Sequence, residues 1–351
     1  MGNNTYSEIQ DTKNIIRLRE LLKELPEFCK DYFRALEPNT SSRTRIAYAY
    51  DLRTFFNFFI EVNPAYRDFT LNSLPMDILE KIKPVDIEEF QEYLKLYNKE
   101  DRQIENKALA ICRKMSVLRS IYDYFYKRER ISKNPMLIVD LPKTHEKNII
   151  RLDADEVVLL LDLIENGPDN IRMTDRELIF YEKTKVRDFA LTALLLGTGI
   201  RVPECVGLDI RDVDFRNGGI KIIRKGGNES IVYFGQEVEN ALLSYLEERN
   251  GIKAKKGHEN ALFLSIQKSR ISVRSVERLV KRYSSLITTT KKITPHKLRS
   301  TFGTNLYRET GDLYLVADTL GHKSVETTRK HYSAMDEDRR RLAAKIKLRE
   351  P

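Results

Sequence analysis

One stretch of this sequence, residues 294–332, combines side chains that could act together on a substrate. Three of the chain's five histidines, His296, His322 and His331, lie in it. Arg299 follows His296 by three positions, so on a helix the two side chains would share one face. A tyrosine closes the stretch. Imidazole, guanidinium and phenol groups are therefore close together in the sequence.

Short helices are expected to position these groups. Thr294 and Pro295 suit a helix start, because Thr can cap free backbone N–H groups and Pro has no N–H to leave unpaired. Apolar residues then recur every four positions and predict a buried stripe of Leu298, Phe302 and Leu306. Gly311 and Gly321 predict the ends of two successive helices.

Two further cationic residues stand upstream. Arg201 follows the glycine-containing helix end at 197–199, and Lys225 lies at the tip of a predicted hairpin. A lysine at such a tip is usually only solvated, and the residues around Lys225 in the sequence do not indicate another role. The chemical set is then Arg201, Lys225, His296, Arg299, His322 and Tyr332.

This set suits a phosphodiester better than a metal-dependent reaction. Acidic and cysteine side chains do not cluster with it, so a hydrolytic metal site is not predicted. Two guanidiniums can hold the non-bridging oxygens and offset the charge of a pentacovalent transition state. A lysine or histidine can protonate the leaving oxygen, and a tyrosine can attack phosphorus. The resulting ester conserves bond energy, so strands could be rejoined without ATP, metal or another cofactor.

Length, charge and cysteine content set broad limits. With 351 residues the chain is long enough for two domains. A net charge of +9 makes a polyanionic partner plausible, although charge alone is weak support. The three cysteines, Cys29, Cys112 and Cys205, are scattered and predict neither a disulfide scaffold nor structural zinc. No apolar run is long enough to span a membrane, and a reducing, cytoplasmic location is expected.

Before a proline-containing linker near residues 140–150, the first part reads as helical. Helices are predicted at 13–36, from the cap residues at 40–42 onward, at 85–97 and at 106–126. Basic side chains on two of these helices could be solvated or could contact phosphates, and the sequence leaves both open. They are Arg43 and Arg45 at one helix start, and Lys107, Arg113, Lys114 and Arg119 on the last helix.

The second part is also mostly helical. A buried central helix is predicted at 186–196. Beyond it the spacing of apolar residues changes from that of a helix to that of a strand, which predicts one hairpin with strands 220–224 and 231–234. Further helices are expected at 237–249 and 273–286. Residues 165–185 read as a polar, partly helical insertion. A charged helix closes the chain, and its small apolar face could dock on a neighbour.

Five motifs occur in an order and spacing that resemble the tyrosine recombinase (phage integrase) family, including its Xer-like branch. They are GTGIRVPECVGL, RKGGN, HKLR, LGH and the tyrosine that follows. The resemblance covers about residues 150–345. It implies a mostly α fold with a small antiparallel sheet, arranged as a two-domain, C-shaped clamp on double-stranded DNA.

The resemblance also implies roles for individual residues. Arg201 and Arg299 would hold the scissile phosphate, and Lys225 would act as general acid. His296 and His322 would support phosphate and proton transfers. Tyr332 would be the nucleophile that forms a 3′-phosphotyrosyl link. Glu204 would steady the first arginine.

The expected organisation follows from the same resemblance. Residues 1–38 would be a helical extension, 39–145 a helical core-binding domain, 146–335 the catalytic domain, and 336–351 a C-terminal helix that docks in trans. The active species would be a tetramer on two duplexes, associated with the nucleoid. Tyr332 lies one position farther from the LGH histidine than in Xer proteins, and His331 beside it is expected to be a local contact.

Two alternatives stay open at this point. A type IB topoisomerase would use the same residue types but only relax DNA, and the thin C-terminal helix favours a recombinase over it. A DNA-binding regulator would keep the fold without catalysis, and the intact set of six residues argues against it. The target site, and the choice between mobile-element recombination and chromosome dimer resolution, are not set by the sequence.

Overall fold

The computed structural model describes residues 5–99, 102–144, 150–168, 173–224, 227–322, 324–326 and 328–329. The chain divides into two compact units, Met1–Lys147 and Asn148–Pro351. Each unit has its own elements and core. Lys225, His331, Tyr332 and the predicted C-terminal helix at 336–351 lie outside the described residues.

The first unit is mainly helical, as predicted, and includes one small hairpin. Its helices are α1 (Tyr6–Glu24), α2 (Cys29–Leu36), α3 (Ser42–Val62), α4 (Ile78–Lys81), α5 (Pro84–Tyr93) and α6 (Ala108–Tyr126). The hairpin pairs β1 (Leu96–Lys99) with β2 (Arg102–Glu105).

The single helix predicted over residues 13–36 is wrong. The structure has two helices there, because Leu25 is extended at φ −85° and ψ 159° immediately before Pro26. A proline disfavours the helical conformation of the residue that precedes it. Leu18 and Leu21 of α1 are buried together with Cys29 and Tyr32 of α2, so both helices contribute to the core of the first unit.

The helix predicted over 85–97 is also wrong at its end, and the β1–β2 hairpin was not predicted. The described residues therefore form two small antiparallel sheets rather than one. The hairpin buries little apolar surface: Tyr97 is buried opposite half-buried Ile104, whereas Leu96 is 55% exposed. Four-residue strands with one apolar pair give too short an alternation to be recognised in the sequence.

Helices of the second unit surround one central helix. They are α7 (Ala154–Asn166), α8 (Asp175–Glu182), α9 (Lys185–Thr198), α10 (Val202–Gly207), α11 (Gln236–Asn250), α12 (Val273–Ile287), α13 (Pro295–Thr310) and α14 (Leu313–Leu320). Helix α9 packs against α7, α11 and α13, and Leu191 and Leu194 at its centre are fully buried. The prediction of a central buried helix is confirmed.

A three-stranded antiparallel sheet completes the second unit. Its order is β3 (Val213–Asp214), β4 (Gly219–Ile223) and β5 (Glu229–Tyr233). Ile220 pairs with Val232 and both are buried, so one face of the hairpin faces the core. The predicted hairpin is confirmed, with strand limits shifted by one or two residues.

The polar insertion predicted at 165–185 contains helix α8. Tyr181 anchors it, because the buried hydroxyl donates to the carbonyl oxygens of Ile164 and Glu165 at the end of α7. The partly helical prediction is therefore confirmed. Within the described ranges, no helix is long and apolar enough for a membrane crossing.

Candidate active site

The helix that carries the predicted site residues His296 and Arg299 is α13. Thr294 is its N-cap residue and Pro295 its first residue, as predicted, although the Thr294 side chain makes no capping hydrogen bond. Leu298 is fully buried, whereas Phe302 and Leu306 are half-buried and pack against Tyr307, Val316 and Leu320. The Phe302 and Leu306 part of the predicted stripe therefore faces helix α14.

Helix α14 ends in a geometry that leaves carbonyl oxygens available. Gly321 adopts the left-handed conformation, at φ 61° and ψ 47°, and its N–H donates to Asp318 O at 2.8 Å. The His322 N–H donates to Ala317 O at 2.9 Å, which completes a Schellman-type end. The carbonyls of Thr319, Leu320 and Gly321 point onward from the helix and need other donors.

Three guanidiniums supply those donors. Arg224 Nη2 donates to Thr319 O at 2.8 Å, Arg299 Nη2 to Leu320 O, and Arg201 Nη2 to Gly321 O at 3.2 Å. We call this set of contacts the arginine cradle. The C-terminal end of a helix carries partial negative charge, so it stabilises cations placed against it. The helix end therefore helps to hold three like charges close together.

Arg299 is the most deeply held of the three. Its side chain is buried, with only 4% of the residue exposed, and its Nη1 donates to Gly199 O at 2.6 Å. Gly199 is the left-handed end of α9, at φ 62°. Arg299 is thus fixed between the ends of two helices, which restricts its guanidinium to one position.

Arg201 is held by its own helix as well as by Gly321. Its backbone N–H donates to Glu204 Oε2 at 2.7 Å, and its Nη1 donates to Glu204 Oε1 at 2.9 Å. The Glu204 side chain is 6% exposed, whereas that of Arg201 is 35% exposed. The carboxylate therefore fixes the guanidinium from the buried side and leaves part of it accessible.

The two histidines occupy different environments. His322 directly follows Gly321, and its Nδ1 lies 2.8 Å from the Oγ1 of buried Thr328. That contact orients the imidazole ring. His296 is exposed in the first turn of α13, one turn before Arg299. The structure thus brings Arg201, Arg299 and His322 to the end of α14, with His296 on the helix that carries Arg299.

Substituting Gly321 by alanine tests the cradle. A Cβ atom there would lie 2.3 Å from Arg224 Nη1, and φ of 61° is strained for alanine. The family resemblance implies that this site cleaves DNA strands, and we expect that cleavage to slow by about 10–100-fold, because displacements near 1 Å can cost that much. Single-turnover cleavage of a labelled duplex measures the effect.

Gly257→Ala is the matched control for that substitution. Gly257 also has a positive φ, 83°, but a Cβ atom there would have no described atom within 4 Å. We expect it to lower stability slightly and to leave cleavage unchanged. Equal cleavage by the Gly321→Ala variant and the unmodified protein would contradict the importance of the cradle.

The predicted DNA-contacting residues of the first unit fall into two groups. Arg43, Lys107 and Arg119 are exposed. The others are engaged in ion pairs: Arg45, 7% exposed, with Glu37, and both Arg113 and Lys114 with buried Asp51. Of these three, Arg113 is also exposed, with 50% of its side chain accessible. An ion pair makes a side chain less available to phosphates. Their role in DNA contact stays a prediction.

Sequence reasoning missed Arg224 and the basic face of α12. Helix α12 exposes Arg274, Arg278, Lys281 and Arg282 at spacings of four, three and one. The helical spacing of these residues was a usable signal for one charged face. Arg224 gave no such signal, because its contact with Thr319 joins positions 95 residues apart.

Comparison with known proteins gives a consistent result. The family model described as "Phage integrase family" matches residues 151–339. The tyrosine recombinase XerC of Thermodesulfovibrio yellowstonii is 34% identical over 298 residues, covering 84% of this chain and 86% of the relative. The tyrosine recombinase XerS of Streptococcus thermophilus is 29% identical over 334 residues, covering 89% and 93%.

Solved structures show the same fold. A XerH recombinase bound to difH substrate aligns with a TM-score of 0.61 and 24% identity, covering 88% of this chain and 81% of that one. The Tn1549 transposon integrase in complex with circular intermediate DNA aligns with a TM-score of 0.60 and 21% identity, covering 89% and 98%.

The chain belongs to the phage integrase family of tyrosine recombinases. It is a site-specific recombinase, an enzyme that acts on DNA. The relatives favour neither the topoisomerase nor the regulator that the sequence alone left open.

Proposed function

We propose that this recombinase cuts one DNA strand by attack of the Tyr332 phenolate oxygen on phosphorus. The bond to the 5′ oxygen breaks, that oxygen receives a proton, and a 3′-phosphotyrosyl ester remains. The reverse attack by a 5′ hydroxyl rejoins a strand, so the step needs no net energy input. The observation that carries the proposal is the arginine cradle, which gathers cations where a phosphate can be held.

Each remaining residue has a proposed task in that step. Arg201 and Arg299 hold the non-bridging oxygens, since forked donors suit a trigonal-bipyramidal phosphate. Lys225 protonates the leaving 5′ oxygen. His322, oriented by Thr328, and His296 support the phosphate and the proton transfers. Glu204 keeps Arg201 in place.

DNA contacts in both units support the catalytic step. The basic face of α12, Arg274 with Arg278, Lys281 and Arg282, matches the charge of a DNA backbone. In the first unit, exposed Arg43, Lys107 and Arg119 are the proposed phosphate contacts. The ion-paired residues, Arg45, Arg113 and Lys114, would contribute by holding the helices in position. The partly exposed Arg113 side chain would also contact DNA directly.

We further propose the assembly and organisation that the family resemblance implies. Four protomers would act on two duplexes, with 39–145 as core-binding domain, 146–335 as catalytic domain and 336–351 docking on a neighbouring protomer. The 1–38 segment would support the first of these domains, because α1 packs against α3. A cytoplasmic, nucleoid-associated location fits an enzyme of this kind. Excision or integration of a mobile element and dimer resolution are both compatible with this chemistry.

A covalent-trapping experiment tests the proposal. A suicide duplex, nicked beside the cleavage position so that the released fragment diffuses away, should leave the protein attached to the 3′ end. The adduct is detected on a denaturing gel, and mass spectrometry of the digested adduct should place the nucleotide on the peptide that contains Tyr332. Attachment to another residue would overturn the proposed nucleophile.

A two-duplex assay separates recombination from relaxation. Two labelled duplexes that each carry the target site should yield recombinant products of predicted length. Relaxation of supercoiled DNA without such products would favour the topoisomerase alternative instead.

A further inference from the structure

Arg224 is the member of the arginine cradle that has no role in the chemistry described above. It is the first residue after strand β4, and its backbone closes the loop at the hairpin tip. Its N–H donates to Asn228 O at 2.8 Å, and its carbonyl accepts from the Gly227 N–H at 3.0 Å. The backbone of Arg224 is therefore fixed where strand β4 ends, one position before Lys225 in the sequence.

The side chain of Arg224 lies against the end of α14. Besides the hydrogen bond to Thr319 O, the side chain packs closely on Gly321, where a Cβ atom would lie 2.7 Å from both Cδ and Cζ of Arg224. Only a glycine leaves space for this contact. The arginine thus connects the hairpin to the same turn that holds Arg201 and Arg299.

This placement is electrostatically costly. Burial and the nearby Arg201 charge both lower the pKa of the Arg224 guanidinium, and the carboxylates of Glu204 and Asp318 only partly offset them. Glu204 is already paired with Arg201. Arg224 Nη1 is buried and has no hydrogen-bond partner among the described residues. A desolvated, incompletely paired cation among other cations is a candidate for a functional role.

We propose that Arg224 is a positioning residue for strand cleavage. It ties the end of strand β4 to the end of α14, where Arg201 and Arg299 also bind, and Lys225 is the next residue in the sequence. The inference rests on the proposed function in one respect, the assignment of Lys225 as the proton donor. Arg224 thereby acts on the leaving group through its neighbour.

A sulfur-substituted substrate tests this role. In a duplex with a 5′-bridging phosphorothiolate, the leaving group is a thiolate, which departs without being protonated. A variant impaired only in proton donation should therefore recover on this duplex. Single-turnover cleavage of the ordinary and the phosphorothiolate duplex is measured for each variant.

Arg224→Gln and Arg224→Met are the informative variants, and Met keeps an apolar stem against Gly321. We expect each to cleave the ordinary duplex about 100-fold more slowly, within the range for loss of general acid catalysis. On the phosphorothiolate duplex each should come within about tenfold of the unmodified protein. Lys221→Gln serves as the hairpin control, because exposed Lys221 pairs with exposed Glu229 on the neighbouring strand, and its rates should not change.

The Lys225→Ala variant tests the role of Arg224 separately from the assignment of Lys225 as the proton donor. If it is rescued by sulfur and the Arg224 variants are not, Arg224 does not act through the proton donor and the inference is overturned. If Lys225→Ala itself is not rescued, the assignment of Lys225 fails, whatever Arg224 does. Loss of cleavage on both duplexes together with a lower unfolding temperature for both Arg224 variants would show a purely structural role and would also overturn it.

Discussion

Replacing Arg299 by alanine is expected to slow strand cleavage by about 10²–10³-fold, the usual loss when one preorganised donor to a developing anion is removed. The residue is almost fully buried and held from two sides, by Gly199 O and Leu320 O. Single-turnover cleavage of the suicide duplex gives the rate.

The same substitution should also lower stability. Removing the guanidinium leaves two buried carbonyls without their donor, and each such loss costs about 1–3 kcal/mol. Relief of a buried charge offsets part of this, so we expect a net loss of about 2–4 kcal/mol in the free energy of unfolding. Denaturant titration of the free protein measures it.

Two variants separate the catalytic effect from the structural one. Arg308→Ala removes an exposed arginine from the last turn of the same helix and should change neither quantity much. Arg299→Lys keeps the charge but loses the fork that contacts two carbonyls, so it should remain strongly impaired. Cleavage by Arg299→Ala within a few-fold of normal would remove Arg299 from the phosphate site.

Replacing Tyr332 by phenylalanine is expected to abolish the covalent adduct altogether. The substitution removes one oxygen atom, the proposed nucleophile, and leaves a ring of nearly the same size. DNA affinity should therefore stay close to normal while cleavage falls below detection. Gel-shift titration and the denaturing-gel assay, performed on the same duplex, separate binding from chemistry.

Tyr314→Phe is the matched control for the tyrosine experiment. Tyr314 is 74% exposed on α14, so its hydroxyl can be removed without burying or exposing new surface. Adduct formation should be unaffected in this variant. An adduct that persists in Tyr332→Phe would mean that another residue attacks phosphorus.

The site could be predicted from the sequence where short-range pattern and chemistry coincide. Gly311 and Gly321 were recognisable as helix ends, and both have positive φ, at 70° and 61°. Arg299 and His296 were placed correctly on one helix. These features depend on residues within one or two turns of each other, and such local rules can be applied without coordinates.

Features that depend on distant partners could not be predicted. Nothing near Arg224 in the sequence indicates that its guanidinium meets Thr319, and the burial of Arg299 depends on Gly199, 100 residues earlier. The β1–β2 hairpin and the helix break at Leu25 were missed for a different reason. In each case the helical pattern of the neighbouring residues continues into the segment.

Helix α14 has only eight residues, yet the positions of several site residues depend on it. Val316, Ala317 and Leu320 are its buried residues, and the turn that follows them sets the place of three cations at once. Any small slide or rotation of this helix displaces all three together. The proposed hold on the phosphate is consequently a collective property of one turn, and we expect sequence changes along α14 to move the three arginines together instead of one by one.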